Sequence, residues 1–312
     1  MEGWDQVMEG ILPLWKERGM TSHDCVFKLR KILKTKKIGH TGTLDPDVDG
    51  VLPICVGKAT KVVEYMMETG KGYIGEITLG YSTTTEDRSG EIVEQVEVQE
   101  IPTLIAIDAA MKNMEGKITQ IPPMYSAVKV NGKKLYEYAR AGETVERPER
   151  IADIKQFKRT SDIVIDKETG TVSWKFEVAC GKGTYVRTLA VDLGKKLGYP
   201  AHMSDLTRIL SGTFKASDCL TLAQVAEKME QEEIEEALFP LEFGLKELAS
   251  FAIDEPLWNK VKDGAVLPID TIPADLPMPV VFTYLQKAVS IYAVHPQKAD
   301  YLKPIKVLRN NL

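Results

Sequence analysis

The chain has 312 residues, 44% hydrophobic and 27% charged, enough material for two globular domains with ordinary cores. Its net charge of −5 excludes a uniformly basic nucleic-acid binder. No apolar run reaches the roughly eighteen residues of a membrane-spanning helix, so none is expected. Cys25, Cys55, Cys180 and Cys219 lie far apart with no Cys-x-x-Cys pair, which argues against zinc or a disulfide framework and for reduced thiols.

The opening "MEGWDQVMEGILPLWKERG" carries acids where a secretory leader carries basic residues, so a cytoplasmic protein is expected. Thr21 to about Leu33 reads as a helix. Thr21 or Ser22 can cap it, Asp24 suits its first turn, and Val26, Leu29, Ile32 and Leu33 form an apolar stripe. From Lys28 to Lys37 six of ten residues are basic and none is acidic. Such a patch fits a phosphate backbone, and equally a solvated helix face.

Gly39 to Gly50 is too rich in glycine and aspartate to continue the helix and is expected to be a loop. Its end, "DPDVDG", imitates the start of a calcium loop. The twelfth position, where a bidentate glutamate is needed, is Val56, and the following "VLPICVG" is β-like rather than helical. No metal site is expected.

Tyr73–Gly80 and Glu91–Val98 alternate like half-buried strands joined by the polar "YSTTTEDRSG". Pro102 is expected to open a helix to about Met114. Lys129–Gly142 interleaves lysines and an arginine with tyrosines. Residues 161–181 form a hairpin pattern around "KETG", and 183–198 has helical spacing with Gly198 as its stop. Beyond about Phe251, recurrent prolines and short β-like runs mark a small β domain. Strands and helices mix without βαβ alternation, so the fold class is α+β, with a mixed, mainly antiparallel central sheet and flanking helices.

Five stretches in chain order carry a family resemblance. "KKIGHTGTLDPDVDGVLPICVGKATK" resembles the signature of the TruB family of tRNA pseudouridine synthases. "KGYIGEITLG", "IPPMYSAVKVNGKKLYEYARAG", "CGKGTYVRTLAVDLGKKLG" and "AHMSDLTRILSGTF" are similar to its later motifs. The resemblance runs from about Gly10 to Leu245. It implies a pseudouridine synthase domain over 1–247 with an RNA-clasping insertion at about 120–150. By position, 248–312 resembles a PUA-type RNA-binding domain.

The resemblance implies roles residue by residue. Asp45 is the catalytic aspartate, Arg187 its guanidinium partner, and Tyr73 the aromatic residue set against the target uracil. Leu206 floors the pocket. His40 takes the place of a flipped-out base or stacks in the RNA. Lys61, Lys133 and Lys134 contact phosphate, and Tyr185 orients Arg187 or packs beneath the base. Read from the residues alone, Asp45 is equally a turn aspartate before proline, Tyr73 a core tyrosine, and His40 a hydrogen-bonding loop histidine. The implied reaction converts uridine 55 in the tRNA TΨC loop to pseudouridine, by a monomer without cofactor or guide RNA. No P-loop or dinucleotide fingerprint contradicts that, since the reaction is an isomerisation. The chain departs from the pattern in "DVDG", with its extra acids, and in "WKERGMTS", which lacks the usual proline.

Overall fold

The computed structural model describes residues 8–312. The chain folds as two compact units. One comprises 8–47, Val51–Met67 and Ser217–Leu312; the other comprises Val48–Gly50 and Glu68–Ala216.

The second unit is built on five antiparallel strands in the order Ala201–Ser211, Lys71–Leu79, Thr171–Cys180, Arg150–Arg159 and Gly116–Gln120. Asp49 and Gly50 pair parallel with Thr207 and Arg208, which makes the sheet mixed. Ile77, Leu79, Val172, Trp174, Phe176 and Val178 bury its inner face. The helices Leu104–Lys112 and Val186–Leu197 flank it. Gly198 ends the latter at φ 85°, the left-handed stop that glycine adopts without penalty. Thr103, not Pro102, opens the former by accepting a bond from the Ala106 N–H, so the proline stands just outside the helix.

In the other unit, the helix Ser22–Ile32 forms as its sequence predicts. Thr21 and Asp24 make a reciprocal capping box, and Cys25, Val26 and Leu29 are buried. The loop expected at 39–50 is shorter than predicted, because the strand Ile38–His40 pairs with Asp49–Val56. Five strands form the C-terminal β domain in the order Ala249–Ala252, Val280–Tyr284, Lys287–His295, Lys298–Val307 and Leu267–Pro268. Its core gathers Trp258, Val261, Phe282, Val289, Tyr292 and Leu302.

One strand expectation needs correction. The segment expected to be half-buried forms Ile92–Gln95, exposed throughout and, among the described residues, paired only with Tyr81–Thr83 in a separate ribbon. Among the described residues no second layer covers Ile92 and Val93, which stand exposed. No helix among the described residues is long and apolar enough to cross a membrane.

Candidate active site

The aspartate loop is fixed on both sides of Asp45. Before it, the buried Ser22 hydroxyl accepts from Leu44 N–H at 2.9 Å and donates to the Leu44 carbonyl at 3.3 Å. After it, the Pro46 carbonyl accepts from Gly19 N–H at 2.9 Å and from the Lys16 ammonium at 3.2 Å. Lys16 is fully buried and also donates to the carbonyls of Glu17 and Met20, at 3.0 and 2.7 Å. A buried ammonium needs such partners, and here it spends them on loop backbone. Thr41, also fully buried, hangs from the Pro53 carbonyl by its N–H and its hydroxyl. Asp45 itself is only half-buried, a carboxylate carried on an immobilised turn.

The acids that follow divide. Asp47 is exposed, whereas Asp49 Oδ1 accepts from the Thr207 hydroxyl at 2.6 Å. Gly50 has φ +122°, and a Cβ there would lie 2.2 Å from the Arg208 carbonyl oxygen. The glycine and last acid of the calcium-like stretch therefore serve strand approach. His40 Nδ1 accepts from Gly42 N–H at 3.4 Å, across its own turn.

In the second unit, Tyr73 and Leu206 lie on adjacent strands, in a register that sets Leu206 opposite Gly75 and Arg208 opposite Tyr73. Tyr73 is half-buried and Leu206 buried. A Cβ on Gly75 would meet the Asp205 carbonyl at 2.4 Å, so the strands approach this closely only because residue 75 is glycine.

Arg187, in the first turn of its helix, is 7% exposed. Its Nη1 donates to the Thr85 carbonyl and its Nη2 to the Tyr125 carbonyl, both at 3.0 Å. Asp87 Oδ2 stands 3.9 Å from Nη1. Asp87 is held in turn through Oδ1, which accepts from the Thr85 hydroxyl and from the Ser89 hydroxyl and N–H. Next to Arg187, the Thr188 hydroxyl donates to Glu86 at 2.7 Å, and burial pushes the Glu86 carboxyl up. Asp87, beside Arg187 in the candidate site, is a residue that sequence reading missed. Its signal is the Asp-x-Ser turn inside "TEDRSG", which says nothing of the arginine a hundred positions on.

Lys133 pairs with Glu143 at 2.8 Å and lies over the Tyr138 ring, while Lys134 donates to the Tyr136 hydroxyl at 3.3 Å. Lys133 and Lys134, adjacent on one short strand, thus each pack against a different tyrosine, and Lys133 has its charge paired with Glu143. Lys61 donates to the carbonyls of Val307 and Leu308, at 2.7 and 3.1 Å. Burial, with Lys58 and Lys37 nearby, lowers its pKa. Its ammonium ties the aspartate-bearing unit's own C-terminal strand to the segment Gly57–Val62.

A mixed sheet flanked by helices, followed by a β domain, is the pseudouridine synthase architecture. The solved archaeal box H/ACA sRNP Nop10–Cbf5 complex matches it with a TM-score of 0.72 and 25% identity, covering 98% of this chain and 88% of that one. A Cbf5–Nop10–Gar1 complex matches at 0.72 and 28%, covering 96% and 85%.

Residues 30–186 match the TruB family pseudouridylate synthase N-terminal domain, and 187–246 the tRNA pseudouridylate synthase B C-terminal domain. Proteins called tRNA pseudouridine synthase B from Listeria innocua and Bacillus pumilus are 56% and 53% identical. They cover 96% and 97% of this chain and 98% of each relative. The chain belongs to the TruB family of pseudouridylate synthases.

Proposed function

We propose that this chain converts uridine 55 in the TΨC stem-loop of tRNA to pseudouridine, acting as a monomer in the cytoplasm without cofactor, metal or guide RNA. The observation that carries this reading is Asp45, a half-buried carboxylate whose two chain neighbours are both bonded to buried groups. A reacting group held this way meets its target without paying for its own ordering. The names of relatives more than half identical over nearly the whole chain support tRNA as substrate.

In this reading the uridine is flipped out of the RNA, since a stacked base is out of reach of the carboxylate. Asp45 acts as nucleophile or as counter-charge to a cationic sugar while the bond from C1′ to N1 breaks. The uracil turns, C5 bonds to C1′, and the proton lost from C5 is balanced by the one gained at N1. Arg187 favours the ionised carboxylate, Tyr73 faces the uracil, and Leu206 floors the pocket. Tyr185 launches the arginine helix, and His40 occupies the gap left by the base. Lys61, Lys133 and Lys134 face phosphate. The synthase domain spans 1–247 and the PUA-like RNA-binding domain 248–312.

The test is an unmodified tRNA transcript incubated with the chain and a chelator, then mapped for pseudouridine. Pseudouridine at position 55, lost in Asp45→Asn with tRNA binding kept, supports the reading. A wild-type chain that leaves the transcript unmodified defeats it.

A further inference from the structure

One buried side chain joins the foot of the insertion to the helix that carries Arg187. Gln120, 2% exposed, ends the strand Gly116–Gln120 and pairs with Arg150 across the neck of the insertion. Its carboxamide lies along the backbone of Tyr185. Nε2 donates to the Tyr185 carbonyl at 3.2 Å, and Oε1 accepts from the Tyr185 N–H at 3.0 Å. Tyr185 is the N-cap of the Val186–Leu197 helix and offers no capping side chain. Its carbonyl already accepts the helix's first bond, from Leu189 N–H. Gln120 therefore fixes the N-cap residue from outside the helix by both of its backbone groups, the N–H as a capping-box glutamine would.

The same foot touches Arg187 a second time. Five residues past Gln120, the Tyr125 carbonyl accepts from Arg187 Nη2 at 3.0 Å. The far end of the insertion closes on this segment, because Arg147 Nη1 donates to the Pro122 carbonyl at 3.0 Å. Residues 120–125 thus grip the start of the arginine helix by its backbone and the guanidinium by its edge.

We propose that Gln120 is a positioning residue for Arg187, coupling the insertion's hold on RNA to the placement of the guanidinium. The inference rests on the function proposed above. Its chemistry is specific: a carboxamide presents a donor and an acceptor side by side whatever the pH, as the N–H and carbonyl of one residue require. An ionised glutamate keeps the bond from the Tyr185 N–H but sets an oxygen against the Tyr185 carbonyl. Leucine keeps neither bond.

The experiment compares wild type, Gln120→Glu and Gln120→Leu in single-turnover pseudouridine formation on saturating unmodified tRNA transcript. Affinity for the same transcript and thermal midpoint are measured alongside. We expect the saturated rate to fall about tenfold to a hundredfold, more in Gln120→Leu than in Gln120→Glu, as for misplacement of a reacting group by about an ångström. Kd for the transcript should stay at its wild-type value. A merely structural glutamine would lower the thermal midpoint without dividing rate from affinity. If Gln120→Leu does not fold, Gln120→Glu decides. A folded variant with the wild-type saturated rate, or with a loss confined to affinity, overturns the proposal. A wild-type chain that forms no pseudouridine removes the underlying function, whereas an active wild type matched by its variants removes only the role of Gln120.

Discussion

The Asp49 carboxylate accepts the Thr207 hydroxyl at 2.6 Å, one residue ahead of a glycine on whose missing Cβ the Arg208 backbone encroaches. Two of the residues that imitate a calcium loop are therefore committed to a strand junction. Asp49→Ala should lower stability by about 1.5–3 kcal/mol, the range for a hydrogen bond to a charged group. Exposed Asp47 has no such duty, so Asp47→Ala should leave the urea midpoint unchanged. It should instead tighten tRNA binding, and more so at low salt, where an unscreened acid repels phosphate hardest. Equal stability losses in the two variants would contradict this division.

Arg187 reaches two carbonyls, of Thr85 and Tyr125, with two different nitrogens. A lysine ammonium cannot span both, so Arg187→Lys should remain folded yet lose about a hundredfold in single-turnover rate. Asp87→Asn keeps the Oδ1 acceptor used by Thr85 and Ser89 and removes only the charge 3.9 Å from the guanidinium. Its loss should be smaller. Single-turnover rates in which the asparagine variant is the more impaired would refute the ranking.

Arg309, 6% exposed, donates to Glu9, to Glu242 and to the Ala288 carbonyl, and Glu242 also accepts from the Ala288 N–H. Removing the cation strands two carboxylates, each of which keeps about a quarter of its side chain in water. Arg309→Met should therefore cost about 2–3 kcal/mol, below the full penalty of a sealed pair. Hydrogen exchange should locate the loosening in the C-terminal β domain. Unchanged protection there would count against the assignment.

Lys71 is buried at the start of the Tyr73 strand, donating to the carbonyl and hydroxyl of Thr69. Burial, with Arg208 nearby, lowers its pKa from 10.5 to about 8. Below pH 8 the ammonium is charged in both states, and the folded chain bears the whole cost of burying it. Between 8 and 10.5 the folded chain sheds the proton first, so stability rises with pH. Wild type should gain about 2 kcal/mol over Lys71→Met between pH 7 and pH 10, measured by denaturant unfolding. Parallel pH profiles for the two proteins would exclude it.

The legible elements were those whose signals are local. The helix Ser22–Ile32 shows its capping box and stripe within a dozen residues, and Val186–Leu197 its stripe and terminal glycine. The strand Ala201–Ser211 was unreadable because bulges at Met203/Asp205 and Arg208/Leu210 break its period, while buried His202 and Arg208 counterfeit a polar loop. Motif resemblance named Asp45, Tyr73 and Arg187 without that strand being recognised. It could not name Asp87 or Gln120, whose duties arise from partners about sixty to a hundred residues away in the chain.

Lys16 makes the stiffness of the aspartate loop chemically measurable. Its ammonium is sealed beneath the turn while Lys28, Lys31, Lys36 and Lys37 stand exposed on and just beyond the helix Ser22–Ile32. An amine-reactive label will mark those four at once and reach Lys16 only through transient openings of the turn. The ratio of the two labelling rates therefore converts the rigidity of the Asp45 loop into a quantity readable by mass spectrometry, with no RNA and no turnover required.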